Sequence, residues 1–120
     1  MALNEHFDTE SLSMLREVME EEFDDLLALF VTDAEERLPK MKSAVQQQQA
    51  DELMGMAHSF KGASGNVCAA PLSALNRDLE DSIRSVEGDQ NRVDWTATVQ
   101  LLDKIEQEYQ AVRGVIENEF

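Results

Sequence analysis

His58 and Lys61 stand three residues apart in the stretch AHSFKGASGNVCAA, residues 57–70. A neutral imidazole nitrogen is a nucleophile and can carry a covalent group. A phosphoryl group placed there adds close to two negative charges, and a lysine one helical turn away offsets part of them. Gly55, Gly62 and Gly65, three of the chain's five glycines, surround the pair. Glycine costs roughly 1 kcal/mol relative to alanine inside a helix, so their clustering needs a reason.

A helical projection supplies one. With Phe60 as reference and about 100° per residue, Leu53, Met56, Ala57, Ala63, Ser64 and Val67 fall within about 60° and form a core face. His58 falls nearly opposite, with Gly55, Gly62 and Gly65 along the same outward stripe. Those positions would otherwise hold the side chains beside the imidazole. The glycines read as clearance for a large body. Lys61 lies on the shoulder of the stripe. Met54 projects beside the site as an exposed apolar side chain, a candidate for an adaptable docking surface. A small-molecule enzyme would need a concave pocket instead.

Other chemistries are poorly supported. His6 lies far from His58 in sequence, in a terminus expected to fray, and no cysteine stands at ligand spacing, so no metal site is expected. The single cysteine, Cys68, cannot form an internal disulfide and reads as a small buried or half-buried residue.

The elements that must position His58 are helical. Few prolines, glycines and aromatics favour helix over strand. The spacing predicts a short helix over about 9–19, capped by Asp8 or Thr9, and a long one over about 21–48 that continues with a kink through Pro39. A third spans about 52–68 with Asp51 as cap, a fourth starts at Pro71 and runs to about 86, and a fifth spans about 92–118. The fifth carries Val93, Ala97, Leu101, Ile105, Tyr109, Val112 and Ile116 as its stripe. Short connections between long helices predict an all-α fold, an antiparallel up-and-down four-helix bundle with a short extra N-terminal helix. One domain, residues 1–120, is expected.

The charge narrows the partners. The net charge is −15. Residues 1–36 hold twelve acids and one base, whereas residues 37–49 hold three bases and no acid. Nucleic acid and anionic membranes are disfavoured as partners. No apolar run is long enough to cross a membrane and no secretory signal is evident, so a cytoplasmic location is expected.

These residues resemble the histidine-containing phosphotransfer (HPt) domain family, whose motif reads approximately A-H-x-[LF]-K-G-x-S-x-x-[LV]-G-A. Ala57, His58, Phe60, Lys61, Gly62, Ser64, Val67 and Ala69 stand at matching positions. Leu72, Leu75, Leu79 and Glu80 fit the family's L-x-x-L-x-x-x-L-E pattern, and LFVTDAEERLPKMKSAV resembles its second helix. The resemblance implies that His58 is a phosphoacceptor. It takes a phosphoryl group from a receiver-domain aspartyl phosphate and passes it to the aspartate of a response-regulator receiver. Lys61 neutralises phosphoryl charge and Gly62 leaves room for the receiver's loops. Arg77 and Arg84 add charge nearby; the docking role of Met54, Gly55 and Gly65 comes from the helical projection, not from the family motif. The chain is then a phosphocarrier, not an enzyme. It binds no cofactor, and the magnesium sits on the receiver. Receiver domains and a hybrid sensor kinase are the implied partners, and a monomer is the default. The start methionine points to a stand-alone protein, with a piece of a larger hybrid kinase as the alternative.

The sequence departs from the family at Cys68, where the motif has glycine, and an altered helix end is expected there. Asn76 replaces a common small residue or cysteine. Two other functions remain open from the residues. One is a non-catalytic module that binds a receiver or kinase as inhibitor or scaffold. The other is an enzyme using His58 as general base, which requires a cleft and a partner that orients the imidazole. Neither is visible at helical spacing.

Overall fold

The alternation of apolar residues at steps of three and four produces helices throughout. The computed structural model describes residues 3–120, and its elements are α1 (Leu3–His6), α2 (Thr9–Met19), α3 (Glu22–Gln46), α4 (Ala50–Asn66), α5 (Ala70–Arg84) and α6 (Trp95–Glu119). No strand occurs among the described residues. Short links reverse the chain between successive long helices, and α3–α4, α4–α5, α5–α6 and α3–α6 all pack together. The result is a four-helix bundle. Two short N-terminal helices precede it, not one. α2 packs on α3, and α1 packs on α5 and α6.

Local chemistry sets the helix ends. Asp8 caps α2, accepting from the backbone N–H of Ser11 at 3.2 Å and from its hydroxyl at 2.9 Å. These bonds hold the Asp8 carboxyl below its ordinary range. Asp94 caps α6, accepting from the N–H of Ala97 at 3.0 Å, so that helix begins later than its apolar pattern suggests. Asp51 is not the cap of α4. The helix starts at Ala50, and Asp51 sits in the first turn, where a carboxylate favours the helix dipole. α3 runs unbroken through Pro39, which is exposed while Leu38 and Met41 beside it are buried.

α3, α4 and α5 leave their axes in the same way. Beyond α4, the N–H of Cys68 donates to the carbonyl of Gly65 at 3.0 Å and that of Ala69 to Ser64 at 2.9 Å. This is a Schellman motif, which places one residue in the left-handed region and usually fills it with glycine. Cys68 occupies it at φ 62°. Gln48 (φ 54°) and Glu87 (φ 56°) do the same beyond α3 and α5. The expected alteration at Cys68 is therefore not a change of shape: the helix end is regular, and the substitution is carried as backbone strain.

The core is centred on Phe30, Phe60 and Tyr109, whose ring centroids lie 6.1–6.3 Å apart. Tilted pairs at such distances are favourable for aromatic rings. Burial raises the Tyr109 hydroxyl to about 12, with the nearby Glu35 charge adding to the effect. α6 buries Thr98, Leu102, Ile105, Tyr109, Val112 and Val115. The expected stripe coincides with it only in the middle, and Ala97 is exposed. Steps of four overrun each helical turn by about 40°, so a stripe built on them drifts off the face.

Candidate functional site

α4 and α5 form an antiparallel pair joined by Val67–Ala69. Phe60, Ala57, Leu53 and Ser64 bury one side of α4 completely. That anchoring turns His58 outward, with its side chain 66% exposed. On α5, Leu72, Leu79 and Ile83 are buried, and Asn76 and Glu80 are buried with them.

Glu80 is the centre of the site. It is 1% exposed, yet three basic side chains converge on it. Nδ1 of His58 lies 2.9 Å from Oε2, and the Lys61 ammonium donates to Oε1 at 2.6 Å. The Arg84 guanidinium, one turn further along α5, also donates to Oε2. The Lys61 hydrogen bond leads in holding the carboxyl at about 2 against the opposing effect of burial, with His58 and Arg84 helping. Glu80 is ionised at neutral pH and can only accept. Nδ1 of His58 therefore carries the proton. In the neutral ring the lone pair is on Nε2, the nitrogen that does not face Glu80.

An orienting partner for the imidazole thus exists, contrary to expectation. It comes from the neighbouring helix, twenty-two residues away. In the sequence Glu80 stands only as one position of a helix pattern. The available signal was its place between the apolar positions Leu79 and Ile83, four residues before Arg84.

The glycines are bare. A Cβ on Gly55 or Gly62 would meet no atom within 4 Å. At Gly65 it would meet only the Ser73 hydroxyl, at an ordinary 3.8 Å. Close helix packing does not require glycine at any of the three. Ser73 links the two helices by donating to the Lys61 carbonyl at 3.0 Å.

The remaining site candidates separate. Arg84 joins His58 through Glu80. Arg77 is exposed in a cavity of about 340 Å³ between α4, α5 and the start of α2, together with Asp8, Ser11, Lys61, Gly65 and Ser73. Met54 is half-buried and packs on the core, not out in solvent as expected. Cys68 is half-buried, and burial pushes its thiol upward. His6 is not frayed: its side chain is 15% exposed and its Nδ1 lies 2.8 Å from Glu108 Oε2 on α6. Among the described residues no three His, Cys, Asp or Glu side chains cluster as metal ligands, and no helix is long and apolar enough to cross a membrane.

Residues 25–114 match the family model of the Hpt domain. The crystal structure of histidine-containing phosphotransfer protein B (HptB) from Pseudomonas aeruginosa PAO1 is similar, with a TM-score of 0.83 and 38% identity. The similarity covers 95% of this chain and 93% of that one. No curated protein matches. The model match spans most of the chain and takes in both His58 and Glu80. The chain belongs to the Hpt domain family, the histidine phosphotransfer modules of two-component phosphorelays.

Proposed function

We propose that His58 is the phosphoacceptor, taking its phosphoryl group from the aspartyl phosphate of one receiver domain and delivering it to the aspartate of another. The observation that carries this reading is the contact between His58 Nδ1 and Glu80, which leaves Nε2 as the nucleophile of an exposed ring. The Nε2 lone pair attacks phosphorus. The bond from phosphorus to the aspartyl oxygen breaks, and its electron pair stays on the receiver's carboxylate. Phosphoryl transfer needs positioning and charge compensation above all. The receiver provides the aspartate and its magnesium. This chain provides the ring and two cations.

Lys61 is the cation on α4. Its ammonium has three donors, and the bond to Glu80 uses one. Arg84 stands on the other helix. Both offset phosphoryl charge without leaving the site. Gly55 and Gly62 leave open space above the backbone, and Gly65 extends the bare stripe. Met14 and Val18, 62% and 81% exposed on α2, border a groove of about 450 Å³ that reaches Gly65. An apolar patch beside a bare stripe suits a protein partner. A hybrid sensor kinase fits as the upstream partner, and the carrier works as a monomer in the cytoplasm.

The test is incubation with a phosphorylated receiver and magnesium. The expected product is an acid-labile, base-stable phosphate on the wild-type chain, absent from His58→Gln. Equal labelling of the two would reject the assignment. Binding that persists in both, with no label on either, would mark a non-catalytic docking module.

A further inference from the structure

The contact between Glu80 and His58 has a chemical consequence after the phosphoryl group arrives. Attack through Nε2 leaves the Nδ1 proton where it was, so the ring gains a positive charge along with its phosphoryl group. A positive ring against a buried carboxylate makes a charge-assisted hydrogen bond, stronger than the neutral one. Onward transfer reverses the step. An aspartate oxygen attacks phosphorus, the Nε2–P bond breaks, and its electron pair returns to Nε2. With the proton still on Nδ1 the leaving group is neutral imidazole. Without it the leaving group is imidazolate, a far stronger base and a poorer leaving group, and a proton must come from solvent.

We propose that Glu80 is a positioning residue that retains the Nδ1 proton of His58 through the phosphorylated state, so that the phosphoryl group enters and leaves with no proton transfer. The proposal rests on the phosphocarrier reading above. Glu80 suits the task because it is a weak base: three donors hold its carboxyl at about 2, so it orients the proton without removing it.

Glu80 is the one carboxylate that contacts His58 among the described residues; Asp8, at the start of α2, lines the cavity with Lys61 and Arg77, and its oxygens accept from Ser11. Lys61 from α4 and Arg84 from α5 are the other donors to Glu80. Arg77, one turn before Glu80 on α5, is exposed in the cavity beside Lys61. From α3, Arg37 lies over the Phe60 ring, 5.3 Å from its centroid. The acids of α3 and α6 that form ion pairs do so elsewhere, Glu106 with Lys42 and Glu35 with Arg113. On α1, which also packs against α5, His6 is paired with Glu108. No group of α1, α3 or α6 hydrogen-bonds or pairs with His58 or Glu80 among the described residues.

The experiment uses the full chain labelled with 15N-histidine and phosphorylated with phosphoramidate, a small donor that needs no receiver. Nitrogen NMR then follows the phosphorylated ring from about pH 6 to about pH 9, across the ordinary histidine range. The expected result is an Nδ1 that stays protonated throughout. Its deprotonation within that window overturns the proposal. A second arm compares transfer rates to an unphosphorylated receiver. The wild type is expected to be flat in pH. Glu80→Gln keeps an acceptor oxygen but loses the charge, and its rate is expected to fall about tenfold per pH unit above neutrality. Identical profiles overturn the proposal. If Glu80→Gln does not fold, the wild-type titration still decides. If phosphoramidate labels His58 but no receiver exchanges phosphate with it, the phosphocarrier reading fails separately, and the nitrogen titration still settles where the proton is.

Discussion

Glu80 and His58 lie twenty-two residues apart in the chain and 2.9 Å apart in the fold. The α4–α5 hairpin makes one chemical unit of an exposed ring and a buried acid. The acid is held rigidly by its burial, and the ring is held by the acid. Neither residue has a defined role without the turn at Val67–Ala69, which brings the two helices back alongside each other.

Gly62 separates clearance from packing. Since an added Cβ meets nothing within 4 Å, Gly62→Ala is expected to raise stability by up to about 1 kcal/mol, through helix propensity alone. Gly62→Gln is expected to fold equally well and to accept label from phosphoramidate, yet to lose at least about tenfold in transfer with a receiver, equivalent to roughly 1.4 kcal/mol. Thermal melts and paired labelling assays check both. Loss of phosphoramidate labelling in Gly62→Gln would place the glycine in the chemistry instead of in the docking.

Acid stability reports on the ion pair to Lys61. Glu80 has a carboxyl depressed in the folded state, so its stabilising contribution is complete above the ordinary carboxylate range and is lost as pH falls toward about 2. Lys61→Met removes the leading cause of that depression. Its acid unfolding, followed by circular dichroism, is expected to start at higher pH than in the wild type. An unchanged acid transition would mean that Arg84 and His58 hold the carboxylate on their own.

Cys68→Gly is expected to stabilise the protein by about 1 kcal/mol, because it relieves a left-handed residue at φ 62° in a motif that favours glycine. For a chain of this size the melting temperature should rise by about 4 °C. Phosphotransfer is expected to be unchanged. A lower melting temperature would show that the half-buried thiol contributes more through packing than its backbone loses.

Tyr109 is the only tyrosine, so ultraviolet absorbance titrates it alone. Its ionisation is expected with a midpoint near 12, since burial first and Glu35 second oppose the phenolate. The folded hydroxyl is harder to ionise than the unfolded one, so stability from this group is full below the ordinary tyrosine range and is lost as pH rises toward 12. A midpoint at the ordinary value would contradict the burial of its ring beside Phe30 and Phe60.

Much of this was legible in the order of residues. The stripe led by Phe60 predicted which side of α4 enters the core, and therefore that His58 faces out. Pro71 marked the start of α5, and Asp8 marked the cap of α2. What stayed hidden depends on pairing between elements. A period describes one helix and says nothing about its neighbour, so Glu80 was invisible as a partner of His58. The same limit hid the bond from His6 to Glu108, which tethers a segment that looks frayed in isolation. Cys68 stands out in the sequence as a departure from a motif, but its meaning lies in a backbone angle.

The bare glycine stripe also bears on how this carrier tells partners apart. Around His58 it presents backbone in place of side chains at Gly55, Gly62 and Gly65, and backbone looks alike to every visitor. On the proposed reading, discrimination falls to the perimeter, where Met14, Val18 and Arg77 are exposed. The proposed reading thus assigns the chemistry and the address to different residues. That reading implies that substitutions at the rim would change which receivers are served while the reactive centre stays intact.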